Sequence, residues 1–233
     1  MTTVAERPAP TEAHPRSGVR RWLWIGALVF TVVLAVWVVA FSSLLGVSTV
    51  QVTGTRLLSP GQIRASAAIR PGTPLVRLDT AAIERRVAKL PVVRSVRVST
   101  SYPSTVTIAI TERVGVGYRM LAGATVEVDV DDVAFRTLSS TPKALPVLIS
   151  SGSDALDSEI AQVSGALNGP VRSSVARISA LSAEAVTLVL RDGRTVLWGG
   201  MDGNADKARL LPALLGRPGS YFDISDPSSV ISR

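Results

Sequence analysis

The sequence of 233 residues contains no cysteine and a single histidine, His14. Without cysteine there is no disulfide framework, no thiolate metal site and no thiol nucleophile. With its histidine near the N-terminus, the rest of the chain can hold neither a Ser-His-Asp triad nor a His-based metal site. No Gly-rich loop of the kind that cradles phosphate is present either. Charge is absent from one long stretch, Trp22 to Phe41 (WLWIGALVFTVVLAVWVVAF), where twenty residues pass without Asp, Glu, Lys or Arg.

That stretch organises the chain. As a helix it covers roughly 30 Å, the hydrocarbon thickness of a bilayer. A helix apolar on every side has no polar face for water, and a chain of this size has no core deep enough to hide it. Trp22, Trp24, Trp37 and Phe41 lie toward its ends, where amphipathic rings favour the headgroup layer. The run is expected to be a transmembrane helix. Arg16, Arg20 and Arg21 precede it, and the next basic residue is Arg56. The positive-inside rule then predicts a single-pass, type II protein of the cell membrane, with residues 1–21 a disordered cytoplasmic tail and the bulk of the chain outside. A cleaved signal peptide is the competing reading. It would need an apolar region of about 7–15 residues and a small-x-small site, whereas this run is longer and Ala40-Phe41-Ser42 fits such a site poorly.

Charge is uneven beyond the run. Residues 47–113 carry ten Arg/Lys against three Asp/Glu, and residues 114–233 carry eleven against thirteen. A boundary is expected after Glu112-Arg113. The basic half would lie beside the bilayer, where it is either drawn to anionic lipid or cell-wall polymer or is simply a solvated surface. Lying outside the cell, it would not meet nucleic acid.

Within 46–113 the pattern is strand, helix, helix, strand, strand. Val47–Thr53 alternates and is closed by Gly54. Ser59 and Gln62 form a capping-box pair around Pro60, opening a helix with Ile63 and Ala67 on its apolar face. A second helix begins near Asp79, with Ile83, Val87 and Leu90 inward and Glu84, Arg85, Arg86 and Lys89 outward. Val96 and Val98, then Val106, Ile108 and Ile110, alternate in two runs joined at Ser101-Tyr102-Pro103-Ser104. Such a unit packs two helices on one face of a three-stranded sheet.

The second half is expected to be sheet-rich. Glu127, Asp129 and Asp131 alternate with Val126, Val128 and Val130, which predicts a solvated acidic strand face. Side chains on a flat strand do not wrap a calcium ion. Leu156, Ile160, Val163 and Leu167 make a helical stripe stopped by Asn168-Gly169-Pro170. Val175–Ile178, Ala185–Leu190 and Thr195–Trp198 are predicted strands, the last two joined through Asp192-Gly193. A helix over Ala205–Leu215 buries Leu210, Leu211, Leu214 and Leu215, kinked or shortened by Pro212. Tyr221–Ser225 is a last strand, and 226–233 is expected to fray.

These segments together resemble a known family. Val47–Gly54, Leu75–Asp79, Leu90–Val98 and Tyr102–Arg113 are similar to the POTRA domain of the bacterial cell-division family FtsQ/DivIB. Val128-Asp129 followed by Phe135 resembles that family's V-D-x-x-G-x-x-F turn, with Asp132 where glycine is usual. Leu145-Pro146-Val147-Leu148, Asp192-Gly193, Gly199, Lys207 and Phe222-Asp223-Ile224 fall in the family's order.

The resemblance implies an α+β protein with a single N-terminal transmembrane helix (22–45 with its exit), a POTRA domain (β-α-α-β-β, 46–113) and a C-terminal mixed, sheet-rich β domain (114–225). It implies a non-enzymatic septal scaffold, with no cofactor, metal or small-molecule substrate, that helps control septal peptidoglycan synthesis. The implied partners are FtsB and FtsL, with proteins of the FtsW, FtsI and FtsK types. The partner-binding stretch it points to is an edge strand comprising Tyr221, Phe222, Asp223, Ile224, Ser225 and Asp226. Period-two geometry would turn Phe222 and Ile224 inward and Tyr221 and Asp223 outward. The alternative is an anchored cell-envelope hydrolase using paired carboxylates such as Asp129 and Asp223.

Overall fold

The structure, a computed structural model, describes residues 17–41, 45–226, 228–229 and 231–232. The first helix, α1, runs from Ser17 to Phe41. It therefore begins five residues before the apolar run, inside the segment expected to be disordered, and residues 1–16 lie outside the described part. Once nucleated, a helix gains one hydrogen bond per added residue, and arginine, at positions 20 and 21, is among the better helix formers. Trp22 is 77% exposed and Leu34 47%, and the apolar side chains between them are exposed around the whole helix. Thr31 hides its hydroxyl by donating to the Ala27 carbonyl at 2.8 Å, so it does not interrupt the apolar surface. Among the described residues no helix is long and apolar enough to cross a membrane, and the described side chains of α1 are continuous only from Arg21 to Leu34. The span expected over Trp22–Phe41 is thus not established by the fold.

The body after α1 contains two sheets with two cores. In the first, β1 (Thr49–Thr53), α2 (Pro60–Ala67), α3 (Thr80–Val87), β2 (Val93–Ser101) and β3 (Thr105–Glu112) follow in order. The sheet order is β1-β3-β2, with β1 parallel and β2 antiparallel to β3. Both halves of the capping box form: Gln62 N–H donates to Ser59 Oγ at 3.2 Å, and Ser59 N–H donates to Gln62 Oε1 at 2.8 Å. Ile63, Ala67, Ile83 and Val87 meet Val98, Val106, Ile108 and Ile110 in the core. Gly54, at φ 86°, ends β1 where a Cβ would stand 1.9 Å from the Ile110 carbonyl oxygen. Only glycine fits there.

Two side chains assigned to the outer face of α3 are placed otherwise. Glu84 Oε1 accepts from Val98 N–H at 2.7 Å, satisfying a donor on the open edge of β2. Arg86 donates to the Ala67 carbonyl through Nη2 at 2.6 Å, at the C-terminal end of α2, where cations are favoured. Arg85 and Lys89 remain exposed.

The second sheet has nine strands. They are β4 (Gly117–Leu121), β5 (Ala124–Val128), β6 (Ala134–Leu138), β7 (Val147–Ser150), β8 (Val175–Ala180), β9 (Val186–Leu190), β10 (Thr195–Gly199), β11 (Tyr221–Asp223) and β12 (Ile231–Ser232). Their order is β12-β11-β10-β9-β8-β7-β4-β5-β6. Helices α4 (Asp154–Ala166) and α5 (Gly169–Ser174) connect parallel β7 and β8, and α6 (Asn204–Leu215) connects parallel β10 and β11. Leu156, Ile160, Val163 and Leu167 pack with Leu211 and Leu214 of α6 on Ile178, Leu188, Val196 and Trp198. Leu210 lies toward solvent, and α6 continues past Pro212 to Leu215. The Asn168-Gly169-Pro170 stop is also a start. Asn168 Oδ1 accepts from Val171 N–H at 2.9 Å, and Pro170 sits in the first turn of α5, a helix the periodicity had not suggested.

Candidate partner-binding edge and the junction between the sheets

Strand β11 enters the sheet parallel to β10, with Val196 opposite Phe222 and Leu197 opposite Asp223. Ile224 N–H extends the ladder to the Leu197 carbonyl at 3.0 Å. Phe222 and Ile224 are both fully buried, while Tyr221 and Asp223 are half-buried on the other side. The inward and outward assignment made from alternation therefore holds. The Arg194 guanidinium lies 6.0 Å from the Phe222 ring centroid. Asp223 Oδ1 accepts from the Ser225 N–H at 3.0 Å and its hydroxyl at 2.7 Å, turning the chain away from the sheet.

The stretch Tyr221–Asp226 is not, however, the outermost strand. Asp226 Oδ1 accepts from Ser228 N–H at 2.8 Å, and the Asp226 carbonyl accepts from Ser229 N–H at 3.1 Å. The chain reverses, and β12 returns antiparallel along β11, with Ser232 opposite Phe222 and Ile231 opposite Asp223. Fraying over 226–233 is thus corrected for residues 231 and 232. The sequence did contain the signal: Asp226 followed by Pro227 and two serines is a β-turn composition. Ser225 and Asp226 are exposed in the reversal rather than on a strand.

Beneath the edge lies a residue whose sequence context marks it only through the family pattern. Lys207 of α6 is 1% exposed, and its Nζ donates to the carbonyls of Trp198 and Gly200, each at 2.9 Å. Burial draws its pKa below the ordinary lysine value, and Asp202, Asp226 and Asp223 partly offset that pull. The ammonium therefore ties α6 to the end of β10 and attracts the acids of the terminal hairpin. At Gly199, φ is 74° and an added Cβ would meet Ser225 at 2.7 Å, so the last two core strands close against each other only through glycine.

A second cluster sits between the sheets, and it overturns the solvated acidic face. Strand β5 stops at Val128 because Asp129 folds over the following turn: its Oδ1 accepts from Asp131 N–H at 3.1 Å and Val133 N–H at 2.9 Å. Asp129 is fully buried, with Arg113 Nη1 at 2.5 Å from its other oxygen. Asp131 pairs with Arg94 of β2 at 3.0 Å, across the junction. Glu127 is buried against Arg136 Nε at 2.8 Å. Asp132, standing where the family usually has glycine, adopts φ 62°, a conformation aspartate tolerates better than most residues, and pairs with Arg119. On the first sheet's side Glu112, at the end of β3, holds the segment after β1, accepting from Leu57 N–H at 2.7 Å and Leu58 N–H at 2.9 Å. Burial opposes ionisation of Glu112, but these amides, that of Arg56 and the Arg56 guanidinium outweigh it, leaving its pKa below the ordinary value. A cleft of about 470 Å³ opens here, lined by Arg56, Leu57, Glu112, Arg113, Glu127 and Arg136 among others.

Asp129 and Asp223 are not brought together. Five strands separate β5 from β11 in the sheet order, roughly 25–30 Å across the sheet at about 4.8 Å per strand. Among the described residues no group of three or more His, Cys, Asp or Glu side chains is arranged to hold a metal.

Residues 45–113 match the family model for the POTRA domain, FtsQ-type, and residues 118–225 match that for the C-terminal part of cell division protein FtsQ/DivIB. A POTRA domain followed by this mixed-sheet domain defines a class of bacterial cell-division protein. The chain is 38% identical to the cell division protein FtsQ of Streptomyces collinus over 238 aligned positions, covering 93% of this chain and 90% of that one. With the cell division protein FtsQ of Mycolicibacterium smegmatis it shares 36% identity, over 96% of this chain and 69% of the relative. It belongs to the FtsQ/DivIB family. The solved major extracytoplasmic domain of DivIB from Geobacillus stearothermophilus is 18% identical, with a TM-score of 0.37, covering 45% of this chain and 92% of that one. That likeness is too slight to bear on function.

Proposed function

We propose that the protein is a non-enzymatic scaffold of the division septum, anchored in the cell membrane by α1, with its N-terminal tail cytoplasmic and both folded domains outside. On this reading residues 46–113 form the membrane-proximal domain and 114–225 the distal one. The distal domain binds an FtsB–FtsL type pair through the β11 end of its sheet and so helps control septal peptidoglycan synthesis. Proteins of the FtsW, FtsI and FtsK types are further partners. The observation that carries the binding role is the outer end of the sheet: among the described residues β12 pairs with Phe222 and Asp223 of β11. A sheet ending this way offers backbone donors and acceptors to an extended partner segment, and Tyr221 supplies an amphipathic ring beside them. The anchor is supported by the twenty uncharged residues of the run, by the continuous helix around them and by the arginines on one side only. The hydrolase alternative receives no support from the placement of Asp129 and Asp223.

Full-length protein purified from detergent-solubilised cell membranes should carry the FtsB–FtsL type pair with it. Recovery of other division proteins without that pair would overturn the assignment. A reporter active only outside the cytoplasm should work when fused after Arg233 and fail when fused after His14. The reverse pattern would invert the topology.

A further inference from the structure

We propose that the end of the first domain nearest α1 seats directly on anionic phospholipid, with arginines on the headgroup phosphates and two exposed apolar side chains at the interface. The proposal rests on α1 being the membrane anchor.

The placement comes from backbone pairing. Gly46 bridges Pro74, Val47 N–H donates to the Thr73 carbonyl at 2.9 Å, and Gly72 N–H donates to the Val47 carbonyl at 2.8 Å. The loop from Arg70 to Arg77 is thereby tied to the chain just after α1. From Phe41 to Gly46 a fully extended chain spans at most about 18 Å, so the loop stands within that distance of the helix end. The β2–β3 turn lies at the same end of the domain, because Ser48 N–H donates to the Ser104 carbonyl at 2.9 Å and β1 runs parallel to β3 from there. Two loops distant in sequence thus share the face toward the end of α1.

Their side chains suit a lipid surface. Val76 is 57% exposed and Tyr102 63%, one on each loop. Arg70 and Arg77 are exposed beside Val76, and a cleft of about 360 Å³ lies between this loop and α3, lined by Arg70, Thr73, Arg77, Asp79 and Arg86 among others. The acid in this lining, Asp79, caps α3 by accepting from Ala82 N–H at 2.8 Å. Arginine beside an aromatic and an aliphatic group is the composition of an interfacial contact with anionic lipid. The excess of ten basic over three acidic residues in 47–113 adds a field of the same sign.

The absence of native cysteine allows a single probe to report on this face. Full-length V76C carries an environment-sensitive fluorophore and is reconstituted into nanodiscs of phosphatidylcholine alone or with phosphatidylglycerol. Anionic lipid should shift the emission to the blue and raise quenching by a lipid-borne quencher. A probe at L181C, which is 83% exposed in the other domain, should not respond. Removing Arg70 and Arg77 as R70S/R77S should weaken the response roughly fivefold per arginine, judged by the phosphatidylglycerol fraction needed. Equal emission from V76C in neutral and anionic discs would overturn the proposal while leaving the anchor intact. A response to soluble poly(glycerol phosphate) but not to phosphatidylglycerol would assign the surface to wall polymer and overturn it too. Failure of the chain to incorporate into either disc would refute the anchor and this surface together.

Discussion

Replacing Asp129 with alanine should lower the unfolding free energy of the body by about 3–5 kcal/mol, the cost of leaving a buried ion-pair partner uncompensated. One carboxylate serves three groups: Arg113 across the junction, and the Asp131 and Val133 amides in the turn. The substitution orphans both amides and leaves Arg113 only its longer contact with Asp131, at 3.8 Å. Asp129→Asn separates the contributions, because an amide oxygen can still accept from the two N–H groups while the charge facing Arg113 is gone. It should recover part of the loss. Denaturant unfolding of the three proteins, compared by midpoint at equal slope, reads the differences. An alanine variant within 1 kcal/mol of the parent would show that the buried carboxylate is not the fastener described here. Because Arg113 follows the last strand of the first sheet and Asp129 follows β5 of the second, the variant should also loosen one domain against the other.

Deleting residues 227–233 should tighten binding of the FtsB–FtsL type partner about fivefold. The terminal strand occupies the positions on β11 that an added strand would take, so partner and tail compete. With net hydrogen-bond contributions of roughly 0.5–1.5 kcal/mol each, a two-residue ladder offset by its own ordering entropy leaves a net barrier of about 1 kcal/mol. The shorter chain keeps Phe222 and Ile224, both fully buried, and so keeps its core. Deleting 220–233 instead would remove both, at several kcal/mol each, and loss of binding would then reflect unfolding. Tyr221→Ala should weaken binding by about tenfold with the fold intact, since the ring is only half-buried in the free protein. Serine at Arg85 and Lys89 is the suitable control on the first domain, Arg86 being bonded to α2. If the 227–233 deletion abolished binding, the partner would extend β12 rather than displace it.

Much of this molecule is written in short-range pattern. The capping box at Ser59 and Gln62, the inward valines and isoleucines of β2 and β3, the stripe from Leu156 to Leu167 and the alternation at Phe222 and Ile224 all depend on neighbours two to four positions apart. Helix and strand periods make such relations visible in the chain itself. The family resemblance was legible for the same reason, being carried by local motifs.

What the chain could not show is which distant groups meet. Glu127 and Asp129 look like a solvated face until Arg136 and Arg113 are brought against them, and Arg86 looks free until α2 ends beside it. Lys207 is a surface residue by type and becomes a buried one only because Trp198 and Gly200 turn their carbonyls toward it. The terminal residues carry no periodic pattern and so suggest fraying, although Asp226-Pro227 has the composition of a turn. Whether a turn leads back into a sheet depends on an open strand edge being there to receive it. Burial, ion pairing and strand order are decided by contacts between segments far apart in sequence, where desolvation and the satisfaction of backbone groups act, and those contacts exist only once the sheet has closed.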